Sequence, residues 1–305
     1  MKILIMIFFV CNCYAETFLV FGGKTGWMGQ KMVQLLEERG HTVFAAESRL
    51  ENREALDREI GKISPDFIIN CAGVTGVPNV DWCEDHKIET IRTNIIGILN
   101  LIDVAYLRNI PVTNFASGCI YEYDEDHLMG SGIGFTEEEG ANFEGSFYSM
   151  TKGLFEELIL VYPNLLNLRL RMPLSTEWHP RNLIVKLSKY KKIINTPNSM
   201  TILEDLLPVA IDMTLSGRRG VYNFVNPGTI SHNQLMNLYK QYIDPSFSYE
   251  NFSIEEQNSI LKSKRSNNEL DTRKLLNEYP DIPHIQDAIH NLFIKMKGQL
   301  DEKID

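Results

Sequence analysis

The feature that most constrains the fold is an apolar run that ends in a glycine-rich turn and continues into an amphipathic stretch. Residues 17–21 (T-F-L-V-F) are long enough for a buried strand, and apolar residues from Met32 to Leu36 recur at helical spacing. A strand, a glycine turn and a helix in this order predict a dinucleotide site, because glycines admit a pyrophosphate and the helix start offers free N–H groups. A glycine turn without a ligand is the alternative. The candidate cofactor-binding residues of the turn are Gly23, Thr25, Gly26, Trp27, Met28 and Gly29.

Further strand-length apolar runs alternate with helical patterns along the first half of the chain. The runs cover residues 42–46, 67–71, 111–116 and 165–172. This alternation predicts an α/β fold, a Rossmann doubly wound parallel sheet with helices on both faces. The alternation of strand-length runs and helical patterns ends at Pro173, apart from one strand predicted at 220–226. We therefore expect an apolar extension at 1–16, a Rossmann domain at 17–173 with a return around 208–230, and mainly a smaller carboxyl-terminal substrate lobe at 174–300.

One long helix is predicted between the third and fourth strands. It covers residues 84–108, with Ile88, Ile91, Ile95, Leu99 and Ile102 on its inner face. Asn94 falls inside this apolar stretch. It is either a paired core amide or a group directed towards the active site.

A serine, a tyrosine and a lysine form the candidate acid–base group. Ser117 follows the fourth strand, and Tyr148 and Lys152 stand four apart at the start of a helical pattern, hence on one face. An ammonium beside a phenol favours the phenolate, so such a tyrosine can exchange a proton with a substrate oxygen that Ser117 also holds. A partly buried tyrosine beside an unrelated solvated lysine is the alternative.

The cofactor's adenosine end is predicted to meet the residues that follow the second strand. Glu47 suits a free ribose 2′-hydroxyl, whereas Arg49 and Arg53 suit a 2′-phosphate. The glutamate thus favours NADH, whereas the arginines favour NADPH. We expect NADPH, with NADH possible. The small-residue turn after the third strand, through Asn70, Ala72 and Gly73, is expected to pass close to the same cofactor.

Charge and cysteine content narrow the function class. A net charge of −10 disfavours a broad nucleic-acid surface, which needs clustered lysine and arginine. The five cysteines show no spacing typical of a metal site, so no metal is expected, and they favour reduced thiols over a disulfide framework. Residues 1–15 resemble a secretory signal but are too short for a membrane span. Because the expected chemistry uses a reduced cofactor, we favour a cytoplasmic location.

The four elements together resemble the extended short-chain dehydrogenase/reductases: the glycine turn, Asn70 to Gly73, Ser117, and Tyr148-x-x-x-Lys152. The likeness narrows to the bifunctional nucleotide-rhamnose synthase epimerase/reductases, the carboxyl half of plant rhamnose synthases and relatives of dTDP-4-dehydrorhamnose reductase. The chain departs from them little, chiefly in Ser117 where threonine is also common, and in Glu47. The segments that carry the narrower resemblance are 73–84, 118–124, 130–135, 198–202 and 265–271.

The resemblance implies a 3,5-epimerase/4-reductase that converts UDP-4-dehydro-6-deoxy-D-glucose to UDP-L-rhamnose with NADPH. Both inverted carbons lie beside the C4 ketone, so their protons leave through an enolate whose oxygen Ser117 and Tyr148 would stabilise. Cys119 and Lys186 are the candidate acid and base on opposite faces of the sugar. The alternatives are that Cys119 is a small buried apolar residue and that Lys186 is a solvated helix lysine.

The expected partner is a nucleotide-sugar, with a homodimer possible. Arg265 suits a diphosphate because its fork binds two oxygens at once. Three other functions compete: a reductase of dTDP-4-dehydrorhamnose only, a sugar-nucleotide 4,6-dehydratase, and a non-catalytic regulatory subunit of the methionine adenosyltransferase type. Dehydratases carry Asp-Glu after the serine or threonine, where this chain has Gly118-Cys119. The substrate-binding candidates are Thr75, Asn182, Asn198, Arg265 and Asn268.

Overall fold

The structure is a computed structural model that describes residues 15–77 and 79–302. The signal-like segment of the sequence lies outside the described residues up to position 14. The strands are β1 (Thr17–Phe21), β2 (Thr42–Ala45), β3 (Phe67–Asn70), β4 (Val112–Ser117), β5 (Leu165–Leu170), β6 (Lys192–Ile194), β7 (Pro197–Asn198), β8 (Gly220–Asn223), β9 (Ile230–Ser231) and β10 (Glu250–Phe252).

The helices follow the strands in the alternation that the sequence predicts. They are α1 (Trp27–Glu38), α2 (Arg53–Ile63), α3 (Trp82–Asp85), α4 (Lys87–Ile91), α5 (Ile98–Leu107), α6 (Phe147–Ile159), α7 (Leu183–Leu187), α8 (Leu203–Leu215), α9 (His232–Tyr242), α10 (Ile254–Ile260), α11 (Arg273–Glu278) and α12 (Ile285–Asp301).

Six parallel strands form the main sheet in the order β2-β1-β3-β4-β5-β8. The predicted Rossmann doubly wound sheet is therefore confirmed, and the strand expected at 220–226 is present as β8 at its edge. The strand order reverses between β1 and β3. In such sheets the crevice beyond the carboxyl ends of the strands at this switch point is where ligands bind.

Separate apolar clusters cover the two faces of the sheet. On one face, β1 packs against α1 and α8 through residues such as Phe18, Met32 and Leu206. On the other face, α2, α5 and α6 cover the sheet with Leu56, Leu101 and Phe155 among others. Strands buried on both faces need near-continuous apolar sequence, which explains the runs seen in β1 and β3.

The helix predicted at 84–108 is interrupted. Residues 82–85 form α3, and a π-helical segment at Arg92–Gly97 separates α4 from α5. The extra residue of a π turn rotates the buried face, so Ile88 is 72% exposed whereas Ile98 is fully buried. The predicted inner face was therefore wrong at Ile88 and also at Ile91, which is 37% exposed.

A second core lies in the carboxyl-terminal part of the chain. Helices α7, α9 and α12 meet there through residues such as Ile184, Met236 and Phe293. Two small sheets, β6 with β10 and β7 with β9, flank this core.

One described helical stretch, Lys87–Leu107, is long and apolar enough by composition to cross a membrane. Its buried residues, Ile98 and Leu101 among them, pack within the cluster that covers one face of the sheet.

Candidate active site

The glycine turn packs tightly on itself and on the neighbouring turn. A Cβ added at Gly26 would lie 2.7 Å from the carbonyl oxygen of Gly22, and one at Gly29 would lie 2.2 Å from it. Gly22 has a φ of +80° and lies against the backbone of Cys71 and Ala72. Helix α1 begins at Trp27 with no side-chain cap, so its first N–H groups remain available for an anion. The turn therefore suits a dinucleotide pyrophosphate.

The turn after β3 brings its backbone to the lysine of the acid–base group. A Cβ added at Gly73 would lie 3.4 Å from Asn94 Oδ1 and 3.8 Å from Lys152 Nζ. The Asn94 amide donates to the carbonyl of Val74 and accepts from its N–H, both at 2.8 Å. Asn94 lies in the π segment, so this segment holds the turn beside Lys152.

Ser117 and Tyr148 are both buried at the carboxyl edge of the sheet, each 8% exposed. Ser117 is the last residue of β4, and its Oγ accepts the N–H of Cys119 at 3.1 Å. Burial raises the pKa of Tyr148 far above its ordinary value, Cys119 adds to this rise, and a hydrogen bond with Ser117 opposes it. The expected phenolate is therefore not favoured here. The phenol is neutral, which is the form that donates a proton.

Lys152 lies one helical turn after Tyr148, with Nζ 5.9 Å from the centre of the tyrosine ring. Burial lowers the pKa of Lys152 to about 8, against opposing contributions from Glu156 and Cys83. A lysine in this range carries its charge at neutral pH and loses it in mild base.

A line of buried amides ties helix α6 to the sheet. Asn70 donates to Asn114 at 2.8 Å, and Asn114 donates to Asn167 at 2.7 Å, across three neighbouring strands. Asn167 then donates to Glu156 at 3.0 Å, and Arg169 donates to the same carboxylate at 2.7 Å. Because these buried groups pair with one another, they orient α6, and with it Tyr148 and Lys152.

The three candidates for the adenosine end differ in their contacts. Glu47 forms an exposed ion pair with Lys24 of the glycine turn at 2.7 Å. Arg53 pairs with Asp103 on α5. Arg49 is exposed, and within residues 15–77 and 79–302 it forms no ion pair.

Cys119 and Lys186 lie on different parts of the fold. Cys119 is half-buried just beyond β4, two residues from Ser117. Lys186 is half-buried on α7, where burial and then Arg181 lower its pKa. Among the described residues, no hydrogen bond or ion pair joins the two side chains.

Three asparagines expected to bind substrate are engaged in internal hydrogen bonds. Asn182 caps α7 and donates to the carbonyls of Ser175 and Glu177 at 2.7 and 2.8 Å. Asn268 donates to the carbonyl of Gly118 at 3.1 Å, and its N–H donates to Asn198 at 3.0 Å. These contacts shape the loops around Cys119 and α7.

The two remaining substrate candidates lie in or against the loop between β3 and α3. Arg265 forms an ion pair with Asp81 at 2.8 Å, and Asp81 also accepts from Ser263 at 2.8 Å. Thr75 is exposed in the loop after β3.

Arg171 was not predicted from the sequence. It follows β5 directly and is only 1% exposed. One guanidinium nitrogen lies 3.5 Å from Cys119 Sγ, and the other donates to the Ser266 carbonyl at 2.7 Å. The sequence offered one signal, a second arginine two residues after Arg169 in the mostly apolar run at 165–172.

A contact between the start of α1 and the loop before α7 was also not predicted from the sequence. The Trp27 indole N–H donates to Glu177 at 2.7 Å, and its ring stacks on His179 with centroids 4.9 Å apart. Lys31 pairs with the same Glu177 at 2.8 Å. The start of helix α1 is thus tied to the loop that precedes α7.

Comparison with known proteins gives one family model and several close relatives. The model of the NAD dependent epimerase/dehydratase family matches residues 19–170. A bifunctional dTDP-4-dehydrorhamnose 3,5-epimerase/dTDP-4-dehydrorhamnose reductase of Arabidopsis thaliana is 48% identical over 273 residues, 89% of this chain and 90% of that protein. A trifunctional Arabidopsis enzyme with UDP-glucose 4,6-dehydratase, 3,5-epimerase and UDP-4-keto-L-rhamnose-reductase activities is 49% identical over 273 residues, again 89% of this chain. The chain spans 41% of that larger protein.

A solved structure is similar over almost its whole length. It is the crystal structure of a UDP-rhamnose synthase from Acanthamoeba polyphaga mimivirus, with a TM-score of 0.88 and 39% identity. The match covers 92% of this chain and 99% of the other. The similar proteins are thus nucleotide-sugar epimerases and reductases of rhamnose synthesis.

Proposed function

Since the chain belongs to the NAD-dependent epimerase/dehydratase family, we propose that it is a 3,5-epimerase/4-reductase that forms UDP-L-rhamnose. Its substrate would be UDP-4-dehydro-6-deoxy-D-glucose and its reductant NADPH. The observation that carries the proposal is the juxtaposition of Ser117, neutral Tyr148 and Lys152 with Cys119 at the carboxyl edge of the sheet. The similarity to a UDP-rhamnose synthase and to an epimerase/reductase supports this substrate class.

Reduction needs an acid at the C4 oxygen. NADPH, when bound in the glycine turn, supplies the hydride. Tyr148 is buried and neutral, so it can protonate the alkoxide while Ser117 holds the same oxygen. Lys152, still charged at neutral pH, stabilises the phenolate that Tyr148 becomes.

Epimerisation needs proton exchange at carbon, which a hydroxyl group directed at the carbonyl oxygen cannot perform. Cys119 lies two residues from Ser117 and is accessible enough to meet the sugar. Lys186 comes from α7 in the other part of the fold, where its lowered pKa suits proton transfer. We assign Cys119 and Lys186 as the acid–base pair for C3 and C5, with Ser117 and Tyr148 stabilising the enolate oxygen.

The remaining site assignments are part of the same proposal. The glycine turn, Arg49 and the Asn70–Gly73 turn would hold the cofactor. Thr75 and Arg265 would contact the nucleotide, and Asn182, Asn198 and Asn268 would shape its pocket through the loops they bind. Residues 17–173 with the return at 208–230 would form the cofactor domain and 174–300 mainly the substrate lobe, in a cytoplasmic enzyme that can form a homodimer.

One assay tests the proposed function. The purified protein is given UDP-4-dehydro-6-deoxy-D-glucose and NADPH, oxidation of NADPH is followed, and the sugar product is identified by chiral chromatography. We expect stoichiometric oxidation and UDP-L-rhamnose. A D-configured 6-deoxy sugar as the product would mean that the protein reduces the ketone without epimerising it. Absence of NADPH oxidation with both the UDP-linked and the dTDP-linked substrate would contradict the proposal.

A further inference from the structure

Two arginines stand two residues apart at the end of β5, and their surroundings differ. Arg169 is 3% exposed and forms an ion pair with Glu156 of α6. Arg171 is 1% exposed, and among the described residues it forms no ion pair with a carboxylate. A buried positive charge without an anion is unfavourable by several kcal/mol, so a group that can become negative beside it is strongly favoured to do so.

The partners of Arg171 are almost all neutral acceptors. Its nitrogens donate to the Asn198 side chain, to Ser266 Oγ at 3.0 Å and to the Gly118 carbonyl at 3.4 Å. Its Nε has no partner within the part of the chain that the structure describes. The remaining contacts are the Ser266 carbonyl at 2.7 Å, which is also neutral, and Cys119 Sγ, 3.5 Å from one of the terminal nitrogens.

The other titratable groups around this guanidinium resist ionisation. Burial raises the pKa of Tyr123 to about 12, and Glu269 adds to the rise while Arg171 opposes it. Burial and then Arg171 lower the pKa of His232 to about 4, so this histidine of α9 is neutral at pH 7. Tyr148 faces Cys119 from α6 and is held neutral by its own burial. A thiol ionises more readily than any phenol, which leaves Cys119 as the acceptor of the negative charge.

We propose that Arg171 is a positioning residue for epimerisation, whose buried guanidinium holds Cys119 as the thiolate that removes the α-proton. In this step a C–H bond of the sugar breaks and the proton forms the S–H bond of Cys119. The bonding electrons become an enolate whose oxygen meets Ser117 and Tyr148, and the Lys186 ammonium returns a proton to the opposite face. The inference rests on the proposed function for its substrate, but the charge state of Cys119 does not depend on any substrate.

The pH dependence of thiol alkylation tests the inference directly. Iodoacetamide labelling of Cys119 is quantified by peptide mass spectrometry between pH 5 and pH 10, with Cys71 and Cys83 of the same molecules as references. Burial raises the pKa of both reference thiols, so they should stay unreactive at neutral pH. We expect half-maximal labelling of Cys119 about one pH unit or more below the ~8.5 of a free thiol.

Two variants distinguish the effect of the Arg171 charge on Cys119 from the effect of its packing. Arg171→Gln removes the charge and should move half-maximal labelling upward by about one to two pH units, slowing labelling at pH 7 by about tenfold or more. Arg171→Lys keeps a charge and should stay below ~8.5. Folding of each variant is checked by circular dichroism and NADPH binding.

Two results would overturn the inference: unchanged labelling in folded Arg171→Gln, or wild-type Cys119 ionising at or above pH ~8.5. The second result is measured on the wild-type protein, so it tests the inference even if Arg171→Gln fails to fold. An acid-shifted wild-type profile without any epimerisation would reject the proposed function and leave the thiolate inference standing.

Discussion

The half of the site that would carry reduction and the half that would carry epimerisation use buried charge in different ways. Around Tyr148, the charge of Arg169 is neutralised by Glu156, and the amide line from Asn70 locks helix α6 in place. Around Cys119, the charge of Arg171 meets a neutral amide, a hydroxyl and two carbonyls. One half therefore holds a neutral acid rigidly, and the other keeps a positive charge available for an anion.

The difference matches what each reaction needs. Delivery of a proton to an alkoxide calls for a neutral acid, and burial keeps the pKa of Tyr148 high. Removal of a proton from carbon calls for a base that is deprotonated at neutral pH, which for a thiol is the negatively charged thiolate. The comparison predicts that substitutions beside Cys119 impair epimerisation and spare reduction, whereas Tyr148, which also stabilises the enolate oxygen, serves both reactions.

The largest expected effect is that of Tyr148→Phe on reduction. Loss of the proton donor should lower kcat for ketone reduction by about 10³-fold, whereas cofactor affinity stays within about twofold, because the ring remains in place. Stopped-flow oxidation of NADPH and calorimetry measure the two. Tyr162→Phe is the matched control, since its hydroxyl bonds Asp103 on α5 and should leave turnover unchanged. Wild-type reduction by Tyr148→Phe would remove Tyr148 from the mechanism.

Sequence patterns alone predicted the sheet and the proximity of Ser117, Tyr148 and Lys152, but not the electrostatics of these residues. Apolar runs located β1 to β5 within a few residues, because strands buried on both faces are mostly apolar. The π segment was not predicted, because apolar spacing does not show contacts such as that of its Asn94 with Val74, 20 residues away. The neutral state of Tyr148 was missed for a similar reason. Spacing shows the nearby lysine, whereas burial is a property of the fold.

A smaller effect is expected for Lys152→Met, which should lower the rate of reduction but raise the stability of the fold. Reduction should slow by about 10²-fold, because the phenolate loses its charged neighbour. The folded-state pKa of about 8 lies below the ordinary 10.5, so the buried charge is unfavourable at neutral pH. Wild-type stability should therefore rise with pH between these two values, since the unfolded chain binds the additional proton there.

The stability of Lys152→Met is measured by urea unfolding at pH 7 and pH 10. Removing the buried ammonium should raise the free energy of unfolding at pH 7 by up to about 3 kcal/mol and abolish the rise between the two pH values. A variant less stable than wild type at pH 7 would show that the lysine is favourably placed even when charged.

The smallest expected effect concerns cofactor choice. Arg49→Ala should lower the preference for NADPH over NADH by about tenfold, the loss of one charged contact with a 2′-phosphate. Arg53→Ala is the matched control, because Arg53 pairs with Asp103 and should leave the preference unchanged. The measurement is the ratio of kcat/KM values with the two cofactors. Equal use of both cofactors by the wild-type protein would contradict the assignment.

The central claim, that proton exchange at carbon and proton delivery to the C4 oxygen are carried by separate groups, is tested most directly with Cys119→Ser. Wild-type protein in D2O without NADPH should exchange the C3 and C5 hydrogens of UDP-4-dehydro-6-deoxy-D-glucose. Cys119→Ser should exchange them at least about 10²-fold more slowly, yet reduce an already epimerised ketone at a rate close to wild type. Cys83→Ala, which removes a buried thiol of α3, should exchange normally. Full deuterium uptake at both carbons in Cys119→Ser would contradict the account.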